Sequence, residues 1–374
     1  MSSSSSSSIN LRGINLGAGL MQWGTTHIDN SVVNPKGNLS DDTVRDIWKT
    51  CRQNGVLFFD TAEGYGGGTS EVRIRQVREW YQDKCLDGQA DEKDVIVATK
   101  YLPTLWRWTK WSFYGAVRGS MQRLGVDKID LYFIHTPIHP LPIECFVQWA
   151  CDAVHDGLVQ AIGISNCDAS LVRRAEAVAQ RNGLHIACNQ IMLNLLVWQS
   201  QQHQETVRTC QELGITIAAY SPIGQGLLTD SLTPEKFQSI RAVKMTGVKY
   251  DELMPLRSQI QSLCEKYHCS MAQVAINWVR GHGAIPLIGC RSVEQVLDAT
   301  NSQSFQLTND EVASLDGLSL GLSLFNRPLY RRSLFVVFIS ILQLAYSTEQ
   351  WIVRIASFWK RAFSFRNKVA SVPN

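Results

Sequence analysis

The chain has 374 residues, 45% hydrophobic and 18% charged, a composition that excludes general disorder and fits one large domain or two ordinary ones. A net charge of +3 is too weak to argue for a nucleic-acid partner, and the ten cysteines include no Cys-x-x-Cys pair. Zinc and a disulfide framework are therefore not expected, and the thiols read as reduced, which points to the cytoplasm.

Seven consecutive serines at positions 2–8 read as a short disordered tail over 1–9, since a transit peptide would be longer and Arg-rich. Short apolar, β-branched runs then alternate with helical stretches. Strands are expected at 14–19, 56–59, 95–99, 129–134, 160–164, 186–190, 215–220 and 284–288. Helix starts are expected at Ser40-Asp41-Asp42, running to Gln53, after Ser70-Glu71, and near Asp168. Gly55, Gly125, Gly157, Gly183 and Gly214 each stand where a helix must stop before the next strand. Alternation of this kind implies a parallel sheet, because each parallel crossover needs a helix-sized connection. Eight such units predict an α/β fold, a closed (β/α)₈ TIM barrel over 10–318. The rival doubly wound dinucleotide fold needs G-x-G-x-x-G between strand and helix, and neither Gly17-Ala18-Gly19 nor Gly64–Gly68 has that spacing.

Reactive residues of such a barrel collect where strands end and βα loops begin. Those ends carry Asp60, then Tyr65 in DTAEGYG, Lys100 in VATK and His135 in YFIH. Tyr65, Lys100 and His135 are spaced by 35 residues, about one βα unit, so they can converge at one height around the mouth. The set suits carbonyl reduction, where hydride leaves negative charge on oxygen and a proton donor must stand close. A nearby ammonium is expected to lower the tyrosine pKa, a carboxylate to keep that lysine charged, and a histidine to orient the carbonyl.

With these residues in view the sequence resembles the aldo/keto reductase superfamily. DTAEGYG with a following Ser-Glu, Lys100, His135, GISN (163–166), Asn189-Gln190 and AYSPIGQGLLT (219–229) stand in that family's order. The resemblance implies a catalytic tetrad of Asp60, Tyr65, Lys100 and His135, with Tyr65 the general acid. It also implies NADPH/NADP+ bound over the barrel mouth. Ser165, Asn166 and Gln190 would then hold the carboxamide, and Tyr220 would stack on the nicotinamide. Ser221, Gly224 and Leu227 would line the pyrophosphate. Gly289, Arg291, Ser292 and Gln295 fall in the segment that would meet the adenosine 2′-phosphate. Where family members often have Glu-Asn at the adenine end, this chain has Asp298-Ala299. Trp23, Tyr101 and Trp106, with Trp108 and Trp111, suggest an aromatic wall for a small-molecule carbonyl or alcohol substrate. Two further readings stay open: a cofactor-binding regulatory or membrane-channel-associated subunit with slow turnover, and a dehydrogenase working in the oxidative direction.

The last stretch, 319–374, has a different character. From Arg331 onward there are seven basic residues and one acid, so this end carries +6 and leaves the first 330 residues at −3. Residues 334–346 are almost wholly apolar but too few to span a bilayer. Trp351, Ile352, Ile355, Phe358, Trp359 and Phe363 share one helical face bordered by cations. Two readings follow: a membrane-surface contact through 331–368, or extra helices packed on the barrel or a partner subunit.

Overall fold

The computed structural model describes residues 9–24, 39–85, 95–104, 106–238, 240, 243 and 248–322, and the statements below concern these. The serine run and the basic extension beyond residue 322 lie outside the described residues.

Eight parallel strands close into a barrel in sequence order: β1 (Gly17–Gly19), β2 (Phe58–Asp60), β3 (Ile96–Tyr101), β4 (Ile129–Ile134), β5 (Val159–Ser165), β6 (Ile186–Met192), β7 (Thr216–Tyr220) and β8 (Ala284–Gly289). Closure is made by β1 pairing with β8, Gly19 opposite Gly289. All eight strands stand where the apolar runs predict them, with their ends moved by a few residues. One shift matters: β3 runs on to Tyr101, so Lys100 lies inside the strand rather than beyond its end.

Outside the barrel lie α1 (Asp41–Gln53), α2 (Thr69–Cys85), α3 (Lys110–Leu124), α4 (Ile143–His155), α5 (Ala169–Arg181) and α6 (Gln201–Glu212). They are followed by the single turn α7 (Pro234–Phe237), α8 (Tyr250–Tyr267), α9 (Met271–Gly281), α10 (Val293–Asn301) and α11 (Asn309–Leu318). Two of the three predicted helix starts act as expected, while α2 begins at Thr69, so that Ser70 and Glu71 lie buried inside its first turn and do not precede it. Ser40 accepts from the Thr43 amide and Asp168 from the Leu171 amide, each contact worth about 1 kcal/mol. Gly125 ends α3 in the left-handed region, φ 67°, where a Cβ would be strained. The connection from β7 to β8 holds α8 as well as α9. This α8 is not among the predicted helices: its N-cap is Lys249 rather than Ser, Thr, Asp or Asn and its second turn contains Pro255. Leu253, Leu256, Ile260 and Leu263 nevertheless recur at helical spacing along its buried face.

Strand periodicity decides what faces the barrel axis. Phe58, Ala98, Leu131, Phe133, Ala161, Cys188, Ala218, Ile285 and Leu287 fill the interior as one buried cluster. Side chains on a strand alternate with period two, so the next inward positions are Asp60, Lys100, Gln190, Tyr220 and Gly289. An apolar plug is thus topped by a polar layer at the C-terminal rim. Gly163 belongs to this packing, because a Cβ there would sit 2.4 Å from the Phe133 ring.

The last described residues double back across this rim. The Leu320 and Leu322 amides donate to the carbonyls of Leu195 (2.8 Å) and Leu196 (2.9 Å), in the loop after β6. The described chain therefore ends on the mouth side of the barrel. Among the described residues, no helix is long and apolar enough to cross a membrane.

Candidate active site

Lys100 is the centre of the polar layer. Its ammonium, fully buried, donates to Asp60 Oδ2 (2.6 Å), the Thr61 carbonyl (2.7 Å) and Tyr65 Oη (3.3 Å), so all three of its hydrogens are engaged. Asp60 is held from the far side by Gln190, whose amide donates to Oδ1 at 2.7 Å. Tyr65 stands in a tight turn after β2 and meets the His135 ring edge-on, centroids 5.8 Å apart. The turn is backed by Gly24, where a Cβ would lie 2.5 Å from the Tyr65–Gly66 backbone. Four residues from three strand ends thus converge as their spacing predicts.

The electrostatics differ from the simple expectation in one respect. Burial pushes the Tyr65 hydroxyl above its ordinary range; Lys100 pulls it down and Asp60 pushes it up, and burial wins. The lowering effect expected of Lys100 is present, but the net direction is upward. Burial would discharge Lys100, yet Asp60 and Tyr65 outweigh it and keep its pKa above the usual lysine value. Asp60 itself is raised by burial, with Lys100 and Gln190 pulling the other way. Burial, then the Lys100 cation, drive His135 down to about 3, so it is a neutral imidazole at neutral pH. Its Nδ1 is buried without a partner among the described residues.

Beside this group the ends of β5, β6 and β7 bring Ser165, Asn166, Gln190 and Tyr220 together. Asn166, left-handed at φ 59°, donates to the His135 carbonyl and to Ser165 Oγ (both 3.1 Å) and accepts from Tyr220 Oη (2.8 Å). Ser165 Oγ donates to the Gln190 carbonyl at 2.9 Å. Ser221 and Gln225 are also left-handed (φ 55° and 56°), an uncommon conformation for such residues that concentrates at functional turns. Gly224 follows Ser221 in the same turn and Leu227 packs inside it, fully buried. Arg257 of α8 secures this turn by donating to the carbonyls of Leu227 (2.7 Å) and Thr229 (3.0 Å). The strand-end pattern does not mark Arg257, because it reaches this turn from a helix and not from the end of a strand.

At the end of β8, Gly289 and Arg291 are exposed, and Ser292 caps α10 by accepting from the Gln295 amide. Gln295 in turn reaches back to accept from the Arg291 amide, 3.3 Å. Asp298, expected at the adenine end, has its carboxylate engaged by Ser270 (3.2 Å) and Gln273 (2.7 Å) of the α9 start, and Ala299 is buried.

The expected aromatic wall divides. Trp23 and Tyr101 are fully buried: the Trp23 indole donates to the Cys290 carbonyl, and Tyr101 packs on Phe113 and Phe146. Both sit on segments flanked by apolar core, so burial claims their rings. Trp106 and Trp108 are about half exposed, and Trp111, on the first turn of α3, is 85% exposed.

The chain belongs to the aldo/keto reductase family, a class of oxidoreductases, whose model matches residues 15–320. It is 28% identical over 304 residues to the chloroplastic pyridoxal reductase of Arabidopsis thaliana, covering 80% of this chain and 82% of that one. It is 29% identical over 291 residues to the aldo-keto reductase str7 of Strobilurus tenacellus, covering 75% and 82%. Among solved structures, the fold is similar to the thermostable aldo-keto reductase Tm1743 bound to epalrestat, with TM-score 0.63, 22% identity and coverage of 82% and 95%. A Bombyx mori aldo-keto reductase in complex with NADP gives TM-score 0.62, 24% identity and coverage of 83% and 91%.

Proposed function

We propose that the protein is an NADPH-dependent reductase of aldehydes or ketones, with Asp60, Tyr65, Lys100 and His135 as its catalytic group. The observation that carries this reading is the position of Lys100, which donates to Asp60 and Tyr65 at once. Because Lys100 donates to Tyr65 Oη, the hydroxyl keeps its own hydrogen for a substrate oxygen at the mouth. Asp60 holds Lys100 as an ammonium, and the neutral His135 ring can orient the same oxygen without adding charge.

The residues present fit the cofactor. Arg291 lies immediately before the N-cap of α10, and a guanidinium beside a helix start suits a phosphate dianion. A Cβ at Gly226 or Gly289 would meet nothing within 4 Å, which leaves open space along both turns. Ser165, Asn166, Gln190 and Tyr220 would hold the nicotinamide end, Ser221, Gly224 and Leu227 the pyrophosphate, and Arg291, Ser292 and Gln295 the 2′-phosphate. When bound, NADPH supplies the hydride, and the residues above handle only the proton.

The test is NADPH consumption against a carbonyl panel that includes pyridoxal, the compound in the name of the Arabidopsis relative. Arg291→Ala should weaken NADPH binding roughly tenfold or more and leave NADH binding unaltered, as measured by titration calorimetry. Equal loss for both nucleotides would remove Arg291 from the phosphate site.

The basic extension extends the reading. Its apolar run and aromatic face supply about 0.8 kcal/mol per inserted CH₂, and each cation near an anionic surface adds on the order of 1 kcal/mol. Full-length protein should float with anionic liposomes and release at high salt, while a chain ending at residue 325 stays in solution. If both remain in solution, the extension is a packing element instead.

A further inference from the structure

Glu63 stands two residues before Tyr65, a position that invites a role in proton transfer, yet its carboxylate faces away from the chemistry. Oε1 accepts from the Leu102 amide at 2.7 Å and from Arg107, and Oε2 accepts from the second Arg107 nitrogen at 3.3 Å. The pair is well buried, Glu63 at 7% and Arg107 at 25% side-chain exposure. Arg107 also donates to the Leu102 carbonyl (3.2 Å) and lies over the Tyr101 ring, 5.2 Å from its centroid. This fork ties the turn that carries Tyr65 to the loop after β3.

Arg107 is flanked in sequence by Trp106 and Trp108, the half-exposed indoles of the mouth. The opposite side of the same loop is held from the loop after β4. There the His139 ring bonds the Thr104 carbonyl (3.1 Å) through Nε2, accepts the Leu141 amide at Nδ1 (2.9 Å), and meets Trp108 edge-on at 5.1 Å. The backbone beneath the indoles is thus pinned on both flanks while Trp106 and Trp108 stay about half exposed. Exposed indoles held this way are pre-organised to meet a ring and add nothing for a substrate too small to reach them.

We propose that Glu63 and Arg107 form a positioning strut that fixes Trp106 and Trp108 relative to Tyr65, and so sets selectivity for aromatic carbonyl compounds over small aliphatic ones. The inference rests on the carbonyl-reductase reading of the mouth. Neither residue touches the reacting atoms in this scheme.

The probes are naphthaldehyde and propanal with NADPH. Glu63→Gln keeps an acceptor for Leu102 but loses the charged fork. It should raise KM for naphthaldehyde about tenfold, the scale of one aromatic contact, with kcat and its pH profile unmoved and propanal kinetics unaltered. Hydrogen exchange at the Leu102 amide should quicken in parallel, a readout independent of turnover. Arg107→Lys, which keeps the charge but not the fork, should shift the same ratio less and guards against a Glu63→Gln chain that fails to fold. Trp106→Ala should reproduce the naphthaldehyde defect without quickening Leu102. An unchanged naphthaldehyde-to-propanal ratio in Glu63→Gln, or a joint fall of kcat on both aldehydes, would overturn the strut. Failure of the reductase reading is separate: it would appear as wild-type protein inert toward both aldehydes, with the Leu102 exchange result still deciding whether the fork holds the loop.

Discussion

Tyr65→Phe is expected to lower kcat for carbonyl reduction about a thousandfold, within the range general acids contribute, and to leave NADPH affinity unchanged. The loss follows from one atom. Oη is the hydroxyl that Lys100 supports at 3.3 Å, and its hydrogen is the one left free to meet a carbonyl oxygen. Phenylalanine keeps the edge-on contact with His135 and the turn at Gly66–Gly67, so the mouth should retain its shape. His135 offers no relief, because its depressed pKa leaves it without an acidic proton at neutral pH. Single-turnover rates with saturating NADPH, beside a direct binding titration, separate the two quantities. Near-normal turnover in the phenylalanine variant would mean that another group delivers the proton.

Lys100→Met should produce two effects of different kinds. The first is kinetic. Reduction needs Tyr65 protonated, so its rate falls as pH rises through the tyrosine pKa. Lys100 lowers that pKa against the upward pull of burial and Asp60, and removing it must move the falling limb to still higher pH while the rate drops. A lower rate with the limb in its original place would make Lys100 a structural partner of Asp60 alone. The second effect is on stability. Methionine leaves the Asp60 carboxylate buried with Gln190 and without its cation, a loss of about 3–5 kcal/mol for such pairs. Adding Asp60→Asn should restore much of the melting temperature and none of the activity, because it removes the stranded charge but not the need for a cation beside Tyr65.

Much of the proposed catalytic group is legible before any coordinates, for reasons that are local. Asp60, Lys100 and His135 each follow an apolar run, and the 35-residue spacing of Tyr65, Lys100 and His135 carries the barrel repeat. Ser40 and Asp168 announce helices that begin where they should, since a cap acts within its own turn. The proposed cofactor segments are legible in another way, by resemblance of ordered motifs.

Other features depend on closure of the barrel. Gln190 meets Asp60 across 130 residues of chain, and only the pairing of eight strands brings those ends to one layer. Glu63 looks like a spare acid until its fork to Arg107 is seen, 44 residues away. Trp23 and Tyr101 look like wall residues by position, yet packing takes them into the core, because large rings gain most from leaving water. The direction of the Tyr65 pKa was equally out of reach, since it is the outcome of burial against charge. By itself, then, the sequence determined the strand repeat, the helix starts at Ser40 and Asp168 and which chemical groups line the rim, all products of short-range patterns. Tertiary structure alone decided which of those groups touch, which are desolvated and which rings remain exposed, because contact and dielectric are properties of the closed fold.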